Sequence, residues 1–350
     1  MTNILIDSDK KLHNLLSKIE DCKEIGLDTE FIRESTYRPI LALIQISLAN
    51  EEIYLIDPQK IKDTSGISKI TSDPKIIKII HSAKQDLEAL YSHLGSFPKN
   101  VFDTQIAYNF LSEKSNIGYS ALVKNICDVD IKEGSWRTDW LKRPLSEEKK
   151  EYAANDVRYL IKIKNQLQKN LKITNRYSWF QEEQNNELEK SNIIIEPDNA
   201  WEKINYPLYF DSSDLALLKK LASWREKLSI KYDIPKRWIL SDSLLIKVMI
   251  TNEHKAQEII ENIKQTLTSS EKDILQKILS SKRKIKNKNL YPKKDIEQKC
   301  NEVLSYVSDE FKIDPTIIAN KRDMEMFIIS NQKARFMKGW RYQIFGKLVQ

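Results

Sequence analysis

The chain has only three cysteines in 350 residues, Cys22, Cys127 and Cys300, far apart and odd in number. No CxxC pair and no Cys/His cluster accompanies them, which argues against a disulfide framework and a structural zinc site. Also missing is any run of ~18 consecutive apolar residues, the length a membrane-spanning helix requires. The opening MTNILIDSDKKLHNLL has no basic segment leading into a long apolar run, the pattern a secretory signal would show. The expectation is a soluble protein of the cytoplasm.

What the chain does have is 41% apolar and 31% charged residues, enough for real cores under a solvated surface. At this length two or three domains are expected. The formal net charge is +7, with Lys greatly outnumbering Arg. Such a balance is compatible with a nucleic-acid partner, and equally with a biased overall composition.

Residues 8–21 have the spacing of an amphipathic helix, and 25–31 read as a strand. LALIQISLA (41–49) and EIYLIDP (52–58) are strands joined by a short polar turn, an antiparallel hairpin. KIIKIIHS (75–82) is a further strand, and KQDLEALYSHLG has helical spacing with a Gly stop. Further helices follow, ending in SEEKKEYAANDVRYLIKIKNQLQKNL (146–171). Strands first and helices afterwards indicate an α/β domain with a mixed sheet. Residues 185–205 turn polar and lead to Pro197 and Pro207, as a linker would. Beyond them only helical periodicity remains. SWREKLSIKYDIPKRWIL (223–240) resembles SYVSDEFKIDPTIIA (305–319), with Pro235 and Pro315 80 residues apart, which suggests two copies of one helical module. The basic run KRKIKNKNLYPKK (282–294) between them is either a solvated linker or a contact site.

The chemistry concentrates around IGLDTEF (25–31). Alternate side chains of a strand share a face, so Asp28 and Glu30 point the same way, opposite Leu27, Thr29 and Phe31. Two neighbouring carboxylates repel and are costly to bury without compensation. Lys or Arg at the strand end could supply it, and so could a pair of divalent ions. Asp86 lies in the first turns of the helix after the 75–82 strand. Tyr152 and Asp156, four apart, share one helical face. Asp103 in FDTQ precedes a helix and reads as its N-cap.

DTEF, an HxxxxD helix and YxxxD, in that order, resemble the DEDD 3′→5′ exonucleases of the subclass with tyrosine in the last motif. STYRPILALIQIS, FDTQIA, RTDWLKRPLSEEKKEYAANDVRYL and the terminal KGWRYQIFG make the resemblance closer, to the ribonuclease D family, over nearly the whole chain. The resemblance implies an α/β, ribonuclease H-like exonuclease domain with a mixed sheet (1–185), a linker (186–206) and two small all-α HRDC-like modules (207–285 and 286–350). By the family pattern Asp28, Glu30, Asp86 and Asp156 are ligands of two Mg²⁺ or Mn²⁺ ions, hard cations that take oxygen donors. Tyr152 would orient the attacking water, while His81 is given no catalytic part. The implied activity is 3′→5′ exoribonucleolytic trimming of tRNA precursors with 3′ extensions and of other structured RNAs, releasing nucleoside 5′-monophosphates. No membrane and no obligate protein partner is implied. The alternatives are a DNA 3′→5′ exonuclease with the same carboxylates, and a nucleic-acid-binding protein that has lost catalysis.

Overall fold

The structure, a computed structural model, describes residues 3–131, 138–280, 294–330 and 334–350. Most of the basic run 282–294 therefore lies outside the described residues. The chain divides into two compact units. One gathers residues 1–32, 39–193 and 293–350, and the other 33–38 with 194–292.

The first unit is built on a six-stranded mixed sheet. Its strands are β1 (Asn3–Ile6), β2 (Glu24–Ile32), β3 (Ile40–Ser47), β4 (Ile53–Ile56), β5 (Ile77–Ile80) and β6 (Val101–Asp103), in the spatial order β1-β4-β3-β2-β5-β6. β3 runs antiparallel to both its neighbours, β2 and β4, and the β3–β4 pair is the hairpin that the short turn between 41 and 58 leads one to expect. β1 joins β4 in parallel, and β5 joins β2 and β6 in parallel. β3 is buried along its length after Ile40. Both faces of the sheet are covered, which is why this strand reads as a nearly continuous apolar run.

Helices α1 (Asp9–Ile19), α2 (Ser65–Ser72) and α3 (Lys84–Leu94) contribute Leu12, Leu15, Ile67, Leu87 and Leu90 to a core shared with Ile25, Leu27, Ile44 and Ile46. Helices α4 (Thr104–Asn109), α5 (Tyr119–Cys127), α6 (Glu147–Arg158), α7 (Leu160–Ile173) and α8 (Tyr177–Glu187) build the other core, with Leu43, Ile79, Val157, Leu160 and Phe180. The edge of β6 is covered: Gln184 accepts from Asp103 N at 2.7 Å and donates to Val101 O at 2.8 Å, using backbone groups that an open edge would leave unpaired.

Residues 294–350 pack into this second core. Trp340 is fully buried, its ring centroid 5.0 Å from Phe110 and 5.5 Å from Trp179. Beside it Arg341 makes two 2.5 Å hydrogen bonds to Glu183. The described residues of the segment expected as a second small HRDC-like helical module (286–350) thus pack against α8 and the end of α4, within the same compact unit as the sheet.

The second unit is helical. Its longest helix, Ser212–Tyr232, begins with a capping box between Asp211 and Asp214. Leu217, Leu218, Leu221, Trp224, Leu245 and Met249 form its core.

Candidate active site

A glycine decides how the site closes. β2 pairs Gly26 with Ser47 and Asp28 with Gln45. A Cβ on Gly26 would stand 2.2 Å from Ser47 Oγ and 3.2 Å from both Val157 O and Leu160 Cβ. The backbone where α6 passes into α7 therefore lies directly on the sheet, and the Ser47 hydroxyl donates to Val157 O at 2.8 Å. Val157 follows Asp156, so this contact presses the Asp156 carboxylate toward the face of β2 that carries Asp28 and Glu30. A ligand oxygen from each of these three residues lies within 4.8 Å of the other two.

At the far end of α6, Ser146 caps the helix by accepting from Lys149 N. The loop before it is fixed by Arg143, which makes a bidentate pair with Asp57 at 2.6 and 2.9 Å and donates to Ala42 O at 2.8 Å. Trp140 in that loop lies 5.9 Å from the ring of Tyr152.

Asp86 approaches from α3, on the other side of β2. Its carboxylate accepts from the Thr29 hydroxyl at 2.6 Å and is not one of the three groups that converge within 4.8 Å. Its field nevertheless reaches Glu30 and Asp156. Asp103 caps α4 as expected, accepting from Gln105 N at 2.8 Å and Ile106 N at 3.1 Å. It also accepts from Ser82 N and Ala83 N, at 3.2 and 2.8 Å, and so fastens the start of the helix that carries Asp86.

The electrostatics are those of crowded, poorly solvated acids. Burial, and then the charges of Asp28, Asp156 and Asp86, push the Glu30 carboxyl up to about 10. The Lys149 ammonium offsets part of that rise. Asp156 is pushed up to about 7 by burial, against the hydrogen bond it receives from Tyr152. Asp28 and Asp86 are raised well above the ordinary carboxylate range, by burial first and by a neighbouring aspartate second. The Tyr152 phenol is also raised, chiefly by burial and next by Asp156, so it keeps its proton and donates. Among the described residues no ion pair reaches any of the four carboxylates. A set of oxygen donors that raise one another's pKa in this way fits hard divalent cations.

Sequence reading missed several residues around this cluster. Lys149 sits one turn before Tyr152, and the spacing Lys149, Tyr152, Asp156 is a legible stripe on one helix face. Tyr119 on α5 feels the charges of Asp156 and Asp28 and accepts from Tyr159 N at 3.3 Å. No local signal announces it. Gln45, opposite Asp28, is fully buried with neither amide atom hydrogen-bonded. His81 stands outside the cluster: its ring nitrogens meet Thr104 Oγ1 at 2.9 Å and Ile117 O at 3.0 Å, a structural arrangement.

A 3′-5′ exonuclease family model matches residues 3–172, and an HRDC domain model matches residues 214–260. Ribonuclease D of Desulfotalea psychrophila is 30% identical, over 97% of this chain and 98% of that protein. Ribonuclease D of Haemophilus influenzae is 32% identical, over 93% and 86%. The chain belongs to the ribonuclease D family. The crystal structure of Escherichia coli RNase D, described as an exoribonuclease involved in structured RNA processing, superimposes with a TM-score of 0.81 at 26% identity, covering 100% of this chain and 98% of that one. The expected ribonuclease H-like mixed sheet with a helical HRDC domain is therefore the fold. As a ribonuclease D, the chain is a 3′→5′ exoribonuclease of the DEDD family that acts on nucleic acid with divalent metal. Among the described residues no helix is long and apolar enough to cross a membrane.

Proposed function

We propose that this ribonuclease D trims the 3′ ends of structured RNAs, tRNA precursors with 3′ extensions among them, in the cytoplasm. Nucleoside 5′-monophosphates would be the products. Two ions, Mg²⁺ or Mn²⁺, are assigned to Asp28, Glu30, Asp86 and Asp156. The observation that carries this reading is the approach of Asp28, Glu30 and Asp156 to within 4.8 Å, a convergence of acids that is costly unless cations share it. Divalent ions, when bound, supply an activated water and neutralise the charge that develops on the phosphate.

The protein's own groups do the rest. Asp156 accepts from Tyr152, which fixes the phenol one helical turn away at the face of β2. From there the Tyr152 hydroxyl can hold the attacking water in line with the terminal phosphodiester. The hydrogen bond from Thr29 fixes the Asp86 carboxylate so that its remaining oxygen is available to a ligand. Lys149, already close enough to act on Glu30, adds positive charge on the side where an RNA phosphate would enter.

The domain partition is proposed with the boundaries given above: 1–185, 186–206, 207–285 and 286–350, the last two related as HRDC-like modules. The test of function is one assay. Matched 5′-labelled RNA and DNA oligonucleotides and a tRNA precursor with a 3′ extension are incubated with Mg²⁺, with Mn²⁺ or with chelator. The expected result is stepwise 3′ shortening of the RNAs that stops with chelator and is slower on DNA, since the 2′-hydroxyl is a contact only RNA offers. Equal rates on RNA and DNA would favour a general exonuclease, and no shortening of any substrate would favour a binding protein.

A further inference from the structure

The segment STYRP between β2 and β3 takes no part in the carboxylate cluster, yet it is firmly held. Residues 33–38 belong to the helical unit. Tyr37 N and Arg38 N donate to Asp233 Oδ1 at 3.1 and 3.3 Å, and the Tyr37 hydroxyl donates to the buried Glu226 at 2.5 Å. This turns the segment into one wall of a cavity of about 440 Å³ whose lining lies wholly within that unit. The size is within the range of small-ligand clefts.

The lining charges are one-sided. Arg33, Arg225, Lys236 and Arg237 line it beside one lining carboxylate, Asp242, and Lys236 also lies 3.5 Å from the buried Glu226. Arg225 is 1% exposed. It donates to Leu240 O at 2.9 Å and pairs with Asp242 at 2.7 Å, while its Nε has no hydrogen-bond partner. Arg237 donates to the backbone carbonyl of Glu34 at 3.4 Å, and among the described residues no carboxylate forms an ion pair with it. Convergent cations around a cavity are stabilised by an anion, and guanidinium forks match phosphate oxygens two at a time. Tyr37 adds an aromatic wall, a surface on which an unstacked base can lie.

From this we infer that the cavity binds a backbone phosphate of single-stranded RNA, with the neighbouring base against Tyr37. It is a substrate subsite separate from the carboxylate cluster. The inference deepens the exoribonuclease reading and rests on it for the identity of the ligand.

The test measures binding without chemistry. The full chain is titrated with a fluorescent single-stranded RNA in chelator, at several salt concentrations. The double variant Lys236→Gln/Arg237→Gln is expected to bind more weakly and to flatten the slope of log affinity against log salt by about 0.7, the value for one lost phosphate contact on a single strand. Asp242→Asn removes the opposing charge and is expected to bind several-fold more tightly. A double variant with wild-type melting temperature and unchanged RNA affinity and slope would overturn the assignment. So would a result in which RNA binding is unchanged and only the stabilisation by millimolar inorganic phosphate is lost, since the cavity would then take a small anion alone. If the double variant unfolds, Asp242→Asn decides: unchanged or weaker binding overturns the inference. Because hydrolysis is absent from these measurements, a failed nuclease assay and a failed subsite remain distinguishable.

Discussion

Ser47 and Val157, 110 residues apart, are joined by a 2.8 Å hydrogen bond across a gap that Gly26 leaves open. The contact sets the height of α6 above the sheet and with it the position of Asp156. Gly26→Ala is expected to force the helix outward at a cost of about 1–3 kcal/mol, typical of overpacking, and to lower the hydrolysis rate far more than the melting temperature suggests. Thermal unfolding and single-turnover cleavage on the same sample check this. A destabilised variant that cleaves at the wild-type rate would separate the glycine from the site.

Removing a charge from the cluster should have opposite effects on activity and stability. Asp28→Asn or Asp156→Asn is expected to leave no more than a few per cent of activity at saturating Mg²⁺. In chelator the same variants should melt at or above the wild-type temperature, because repulsion among the remaining acids is relieved. Substantial residual hydrolysis would remove that aspartate from the metal set.

The pH dependence follows from the same crowding. Glu30 and Asp156 are raised in the folded state, to about 10 and about 7. In the unfolded chain they would titrate near 4.5 and 3.8. Below those unfolded values their protons are bound in both states and the metal-free protein loses nothing. As pH rises toward the folded values the native state retains protons that the unfolded state releases, so metal-free stability falls. Melting curves in chelator should therefore decline from about pH 5 to pH 9. Added Mg²⁺ should recover more of the loss at the alkaline end, since binding displaces the protons. A flat metal-free profile over that window would mean that the carboxylates are not held close together.

Tyr152→Phe tests the phenol alone. Packing against Trp140 is kept while the donor to Asp156 is lost. The chemical step is expected to slow by roughly 10²–10⁴, the usual range for a positioned proton-handling group, with RNA affinity little changed. If single-turnover rates match wild type, the ring is a packing element and the water is held by other groups.

The Arg341–Glu183 pair is buried, with side chains 4% and 10% exposed. Arg341→Met leaves Glu183 with only the more distant Arg335 guanidinium, 3.7 Å away, a loss expected to cost about 3 kcal/mol, the low end for breaking a buried pair. The double change with Glu183→Leu should recover much of that, because no unpaired charge then remains. A fragment ending near residue 195 keeps all five predicted catalytic residues yet loses Trp340 and Arg341. It should melt far below the full chain or fail to fold. A fragment as stable as the full chain would show that 294–350 is dispensable to the nuclease core.

Much of this was legible before any coordinates. The alternation in IGLDTEF placed Asp28 and Glu30 on one face, and the four-residue step placed Tyr152 beside Asp156, because both depend only on local period. The hairpin of β3 and β4 was visible for the same reason. β1 and β6 were not, since strands of four and three residues show no period and owe their existence to partners elsewhere in the chain. Asp86 was recognisable through its motif, but its hydrogen bond to Thr29 from the opposite side of β2 is a tertiary fact. The docking of Trp340 between Phe110 and Trp179 was likewise hidden. Local periodicity says that a helix has an apolar face, and leaves open what covers it.

The nuclease unit is also discontinuous along the chain, and this sets an order in time. Glu183 leaves the ribosome 158 residues before Arg341, its partner. At about 5–20 residues per second the interval is roughly 8–30 s. During it the sheet and its five carboxyl and phenol groups already exist as sequence, while the hydrophobic seat for Trp340 stands open. A nascent chain therefore carries the proposed site residues on an incomplete body. The core around Trp340 and the Glu183–Arg341 pair can close only after residues 340 and 341 have been made.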